Sequence, residues 1–199
     1  LLQGEKAQVE TELRLLQAQV EPHFLFNTLA ILRGLICRDP LAGKQLLDHL
    51  IDYLRASLSH SRCDQATLGE ELALLDSYLT IMQFRMGERL TFSIKIADEL
   101  HSQPLAPMLL QPLVENAIRH GLEPKTGPGR VWITVSSFGD AIQMQVGDDG
   151  MGFSNSGSAG TGLANIRARL ATLYEGRAAL TLEDNDHGGV TATLRVPLT

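Results

Sequence analysis

Glu115-Asn116-Ala117-Ile118-Arg119-His120 is the stretch on which the reading of this sequence turns. It ends a segment from Pro107 to about His120 in which Leu109, Leu113 and Ala117, with Leu110 and Val114, recur at helical spacing and predict a buried stripe. The same spacing sets Asn116 and His120 on one line and Glu115 beside Arg119. A polar stripe alongside a buried one suits the roof of a site. Taken alone, it is matched by a capped, partly exposed amphipathic helix.

Downstream, the loop Glu123 to Gly129 ends the helix, and two strand-like runs, Val131 to Ser137 and Ile142 to Val146, predict a hairpin turned at Gly139-Asp140. Directly after it comes Asp148-Asp149-Gly150-Met151-Gly152. A carboxylate at a strand end can accept a hydrogen bond from an exocyclic amine such as that of adenine, and glycines let the backbone pass close to a ligand. The plain alternative is a turn. Next, the small, polar stretch Ser154 to Ala159 leads through Gly160-Thr161-Gly162-Leu163-Ala164-Asn165 into a helix over Leu163 to Tyr174. Unpaired N–H groups at a helix start can cradle phosphates, whereas a flexible linker would need no ligand. A last hairpin, Ala178 to Glu183 and Val190 to Val196, closes the chain. Upstream, Thr67 with Glu70 forms a capping box that starts a helix ending near Met86, and Leu90 to Ile96 alternates in strand period. The class is α+β: an α/β sandwich with a mostly antiparallel sheet and helices on one face.

The series E-N-A-x-R-H, D-x-G-x-G and G-T-G-L-x-N, each at a strand or helix boundary, resembles the N, G1 and G2 boxes of the GHKL (Bergerat-type) ATPases, and more closely those of histidine kinases. The resemblance covers Thr67 to Thr199. It implies that ATP is the ligand, that Asn116 ligates Mg²⁺ and that Asp148 reads adenine. Gly150, Gly152, Gly160, Thr161, Gly162 and Leu163 would flank the nucleotide, and Ser154 to Ala159 would belong to a mobile lid. By the same likeness Glu115 positions or activates groups near the metal, and Arg119 or His120 touches phosphate. The Rossmann and Walker patterns are absent.

The N-terminal third has a different character. From Leu1 to about Cys37, Val9, Leu13, Leu16 and Val20 mark one face of a long helix; Asp39-Pro40 breaks it, and a second helix runs from Leu41 to about Ser61 through Leu46, Leu50, Tyr53, Leu54 and Leu58. Two helices bury too little surface alone, so a second copy of the hairpin, making a four-helix bundle across a homodimer, is the expected completion. The polar joint Ser59 to Gln65 divides the chain into 1–63 and 64–199.

His23 stands apart from the other histidines. It follows Pro22, which within a helix removes the bond to the Ala18 carbonyl and bends the axis. The next residues, Phe24, Leu25 and Phe26, cover more than half the helix circumference and predict burial nearly all round. Pro-His-Phe-Leu-Phe-Asn, with Gln19 ahead of it, is similar to the phosphoacceptor motif of LytS-type histidine kinases. The resemblance implies that His23 is phosphorylated from ATP and passes the phosphoryl group to an aspartate on a response-regulator receiver domain. Glu21 stands where that family usually has Asn; at i−2 it is expected on the far side of the helix, affecting packing or charge. Phe24 occupies the position where the more familiar kinases carry an acid, so no local carboxylate base can be assigned. Gln19 and Asn27, at i−4 and i+4, are the neighbours able to hydrogen-bond the ring. Two other readings share part of these features: a GHKL nucleotide switch or anti-sigma-type serine kinase, which leaves Pro22-His23 unexplained, and a silent dimerisation scaffold, which leaves the three boxes unexplained.

Composition narrows the field. The 199 residues are 44% hydrophobic and 20% charged, with a net charge of −6 and no Lys/Arg run, against nucleic-acid binding or attachment to anionic membranes. Cys37 and Cys63 form no metal or redox pair, in keeping with a cytoplasmic setting. No stretch reaches the roughly 18 to 20 apolar residues of a membrane span. The chain starts at Leu1 in mid-pattern, so it is expected to be a fragment whose full-length protein reaches a membrane through an upstream segment. Gln83, Arg85 and Arg89 resemble the family around a helix-to-strand joint, although basic residues there also suit a helix C-terminus. Trp132, Tyr53 and the remaining aromatics are expected in the core.

Overall fold

A computed structural model describes residues 21–62, 65–152 and 161–198. The expected helix over residues 1–20 with Gln19, Cys63, the lid at 154–159 and Gly160 lie outside these residues.

Helix α1 spans Pro22–Arg38 and α2 spans Pro40–Arg62. Pro22 is not an interior defect. Glu21 has non-helical angles (φ −54°, ψ 117°), as a residue before proline prefers, and Pro22 opens the helix, where its missing N–H was going to be unpaired anyway. Asp39 ends α1, and its Oδ1 accepts from Ala42 N (3.0 Å) to cap α2. The expected all-round burial below His23 is also corrected. Phe24 is buried, but Phe26 is 71% exposed, because the helices packed against α1 reach only one side of it. Phe24 meets Tyr53 of α2 and Tyr78 at ring-centroid distances of 5.4 Å each.

Tyr78 belongs to α3, Leu68–Met86, which begins with the expected capping box: Glu70 N donates to Thr67 Oγ1 (3.2 Å) and Thr67 N to Glu70 Oε2 (2.8 Å). Two short strands that hydropathy does not reveal, β1 (Ala66–Thr67) and β3 (Pro104–Leu105), pair antiparallel beside it. Strand β2, Leu90–Ile96, is the edge of the main sheet.

The helix carrying Glu115 and Asn116 differs from its expectation at both ends. Its α-helical part, α4, is Gln111–Asn116, and it continues as a π-helical turn over Ala117–Leu122. Met108 takes a left-handed conformation (φ 57°), and the fully buried carboxylate of Glu71 accepts from Met108 N (2.7 Å) and Leu110 N (3.0 Å). Those bonds hold residues 107–110 as a turn, so the helix starts later than its apolar spacing predicts. At the far end Glu123 N donates to Ile118 O (2.8 Å), a five-residue step that widens the turn. Four-residue spacing therefore no longer aligns Asn116 with His120.

Strands β4 (Gly129–Phe138), β5 (Ala141–Asp148), β6 (Ala179–Asp184) and β7 (Val190–Pro197) complete a sheet of order β2-β4-β5-β7-β6. Among the described residues only the β2–β4 pair is parallel. Alternation places Val131, Ile133, Met144, Val146 and Leu194 inward, under α3, α4 and α5 (Thr161–Leu173). Buried apolar residues from α1 and α2, among them Leu46, Leu50 and Tyr53, join the same continuous cluster. Trp132 does not; it lies half-exposed on the outer face, edge-on to His187 at 5.5 Å and over Gly147. Phe138 is likewise exposed, under the guanidinium of Arg195.

Candidate functional site

Two clusters of polar residues flank α4. The first surrounds Asp148, the last residue of β5, which is 4% exposed. Its Oδ1 accepts from Gly150 N (2.8 Å), and Asn185 Nδ2 donates to its carbonyl (2.9 Å). Gly121, Gly150 and Gly189 close around it. A Cβ on Gly121 would meet the Asp148 carboxylate, one on Gly150 would meet the Gly121 backbone, and one on Gly189 the Asp148 carbonyl. Burial raises the Asp148 pKa; the N–H groups of Gly150 and Val190 oppose it, Asp149 adds to it and Lys125 lowers it.

Asp149 has another task. Lys125 Nζ sits 3.1 Å from its Oδ1, which also accepts from Arg130 N (2.8 Å), so it straps the post-helix loop to the sheet. Arg89 holds that loop from the other side through Lys125 O (2.6 Å), and Gln83 Nε2 donates to Leu90 O (3.1 Å). The side chains of Asn116, half-buried, and His120, exposed, make no hydrogen bond among the described residues and are open to a ligand. Gly152 is placed by a positive φ of 68°. Of the third box, Thr161, Gly162 and Leu163 form the first turn of α5, with Leu163 buried.

The second region is a cleft of about 230 Å³ between α1 and α4, lined by His23, Glu21, Glu115, Arg119, Tyr78 and Arg85, among others. His23 is exposed, and Asn27 Nδ2 lies 3.2 Å from both of its ring nitrogens, as the i+4 spacing predicts. Glu21 is not on the far side of a helix. As the cap residue it turns back, and its Oε2 pairs with Arg119 Nη2 at 2.7 Å, tying the entry of α1 to α4. Arg85 pairs with Glu123 (3.0 Å). Glu115 is the cleft carboxylate without a salt bridge among the described residues; its Oε1 accepts from Gln111 Nε2 (2.8 Å). Burial raises its pKa, while the Gln111 bond and Arg119 act against that and Glu21 adds to it.

The structure thus gathers His23, Glu115 and Arg119 at the cleft, with Asn27 on the His23 ring, and sets Asp148 together with Gly150 beside Gly121. Sequence reasoning missed Gln111, Tyr53, Gly121, Gly189 and Asn185. Gly121 directly after the box, and the pair Gly188-Gly189, were the available signals.

A mixed five-stranded sheet under helices, with a buried strand-end aspartate enclosed by glycines, is the architecture of the GHKL ATPase class. Family models agree: one for histidine kinases matches residues 11–90, and one for histidine kinase-, DNA gyrase B- and HSP90-like ATPases matches 103–199. The chain belongs to the LytS-type sensor histidine kinases. It is 33% identical to sensor histidine kinase YesM of Bacillus subtilis, over 94% of this chain and 33% of that protein. Sensor protein LytS of the same organism is 32% identical over 95% of this chain and 34% of its own length, and sensor histidine kinase BtsS of Escherichia coli is 32% identical over 94% and 34%. The chain spans about a third of the length of these relatives. Among solved structures, the histidine kinase domain of the Erythrobacter litoralis EL346 blue-light activated histidine kinase shares the fold, with a TM-score of 0.55 at 16% identity over 96% of both chains.

Proposed function

We propose that this chain is the autokinase core of a two-component sensor: it binds Mg-ATP at the Asp148 pocket, phosphorylates His23 and hands the phosphoryl group to a receiver-domain aspartate of a response regulator. The observation that carries this reading is the shared cleft, in which the acceptor imidazole faces Glu115 and Arg119 of the nucleotide-box helix.

The residues suit the ligand. Asp148 is a buried acceptor for an exocyclic amine, Gly150 and Gly121 pack so closely on each other and on Asp148 that neither could carry a side chain, and Asn116 offers an unengaged amide oxygen to Mg²⁺. Bound Mg²⁺ would offset the charge that builds on the phosphates. Gly152, Gly160, Thr161, Gly162 and Leu163 would flank the nucleotide, and the lid at 154–159 would close over it. His120 or Arg119 would meet phosphate.

The chain's own groups then do the positioning. A ring nitrogen of His23 would supply the lone pair that attacks the phosphoryl group, and Asn27 holds the ring. Glu21 and Glu123 are committed to cations, which leaves Glu115 to accept the ring N–H and orient the opposite nitrogen toward the phosphoryl group. Arg119 brings positive charge to the same place.

Division into a phosphoacceptor hairpin at 1–63 and an ATP-binding unit at 64–199 belongs to the same proposal, as does a homodimer. The exposed Phe26, Leu29, Ile36, Leu41 and Leu47 of α1 and α2 are the apolar surface a second hairpin would cover. Among the described residues no helix is long and apolar enough to cross a membrane. We place this core in the cytoplasm, joined in a longer protein to an upstream membrane segment.

Incubation with γ-labelled ATP and Mg²⁺ is the test. Label that is acid-labile and absent from His23→Gln is expected; acid-stable label, or label retained in that variant, would refute the assignment.

A further inference from the structure

Between the two helical hairpin arms and the nucleotide-box helix lies a polar chain that the reading above leaves unused. Gln111, 4% exposed on the first turn of α4, donates through Nε2 to Tyr53 Oη (2.9 Å) and to Glu115 Oε1 (2.8 Å). Tyr53 is 2% exposed and comes from α2, so the amide joins two elements far apart in sequence. The other amide atom, Gln111 Oε1, is buried with no partner among the described residues.

An unpaired buried oxygen is unfavourable, and the two bonds the same amide donates, to Tyr53 and to Glu115, are what offset it. Packing alone therefore does not account for a glutamine here. What the amide does is hold Glu115. The other groups facing that carboxylate are otherwise engaged or lack a bond to it: Arg119 pairs with Glu21, Arg85 with Glu123, His23 with Asn27, and Tyr78 stacks on Phe24. Gln111 is thus the side chain that fixes the Glu115 carboxylate, and Tyr53 is the side chain that fixes Gln111.

We propose that Gln111 and Tyr53 are positioning residues for His23 phosphorylation: through a single amide they set the direction of the Glu115 carboxylate in the cleft and make it depend on how α2 packs against α4. This rests on the role given to Glu115 above. A displacement of α2 of the kind a helical bundle can undergo would move Tyr53, release the amide and let Glu115 turn away, with no change in the Asp148 pocket.

The test uses this chain with Mg-ATP and compares Gln111→Met, Tyr53→Phe, the double variant and Glu115→Gln. Methionine matches the shape of glutamine and removes the unpaired oxygen, and phenylalanine keeps the ring against Phe24 and Tyr78. Expected are a Tm lowered by a few degrees in Gln111→Met, because Tyr53 Oη and Glu115 Oε1 lose their donor while the unpaired oxygen is removed, and a rate of His23 labelling at saturating ATP, measured well below that Tm, lowered about tenfold there and about threefold in Tyr53→Phe, as loss of a bond to a charged group predicts. Half-saturating ATP should be unchanged, and the double variant should be no slower than Gln111→Met, since Tyr53 acts through the amide. A wild-type rate in Gln111→Met, or losses that multiply in the double variant, would overturn the proposal. Glu115→Gln separates the two readings. If it is inactive while Gln111→Met is normal, only the positioning role fails; if it is fully active, the role of Glu115 fails as well.

Discussion

The pocket at Asp148 and the cleft at His23 share one wall, the helix α4 with its π-helical turn, yet they are built from different materials. Around Asp148 the contacts are backbone and glycine: Gly121, Gly150 and Gly189 abut the carboxylate, and N–H groups satisfy it. Around His23 they are long side chains in pairs, Glu21 with Arg119 and Arg85 with Glu123, all at least a third exposed or nearly so. Backbone contacts tolerate almost no displacement, whereas side-chain pairs between separate helices can part and re-form. If, as proposed, nucleotide sits beside Asp148 and His23 accepts the phosphoryl group, this pairing of a rigid wall with an adjustable one would let the nucleotide stay put while the helix bearing His23 shifts.

That contrast can be broken at several points. Asn116→Ala should reduce His23 labelling to background while circular dichroism and Tm stay near wild type; normal labelling would remove Asn116 from the metal site. Gly150→Ala drives a Cβ into the Gly121 backbone and should cost about 3 kcal/mol in urea unfolding, with loss of nucleotide binding. A silent substitution there would mean that the pocket is softer than its contacts imply. Glu71→Ala strips acceptors from Met108 N and Leu110 N, and should cost roughly 2 kcal/mol. Because α4 serves both regions, ATP affinity and labelling rate should fall together, and damage to only one of them would show that the two walls move independently. The smallest effect is expected in the cleft. Arg119→Ala should change stability by less than about 1 kcal/mol, since both partners are half-exposed, while slowing labelling several-fold. Equal losses of stability in Gly150→Ala and Arg119→Ala would erase the distinction.

The same division separates what was legible in the sequence from what was not. Every strand of the main sheet was readable because β4, β5 and β7 alternate inward and outward residues over long runs. The capping box at Thr67 and Glu70 fixed the start of α3, since both partners are local. Failures came where a distant group decides a local conformation. Glu71 sets the turn at Met108, a carboxylate far back in the chain, and nothing near Met108 announces it. Pro22 was read as interrupting a helix, but proline is as compatible with a first helical position as it is disruptive of an interior one, and the two cannot be told apart without the backbone before it. Phe26 was assigned to a core that one copy of the chain does not supply. The residues that surround Asp148 stand out in the sequence as glycines and acids at element boundaries. The Glu21–Arg119 pair and the Tyr53–Gln111–Glu115 chain do not, because they join segments that only the tertiary fold brings together.

The one parallel pairing, Leu90 to Ile96 against Gly129 to Val135, has a kinetic meaning. The β4–β5 and β6–β7 hairpins close short loops, but β2 can meet β4 only after the chain has gone round through α4 and its π-helical turn. Loop closure makes such a pairing slow to form. The β2–β4 junction is therefore completed late in folding, which pulse-labelled amide exchange during refolding would record as slower protection over Leu90–Ile96 than over the β4–β5 hairpin.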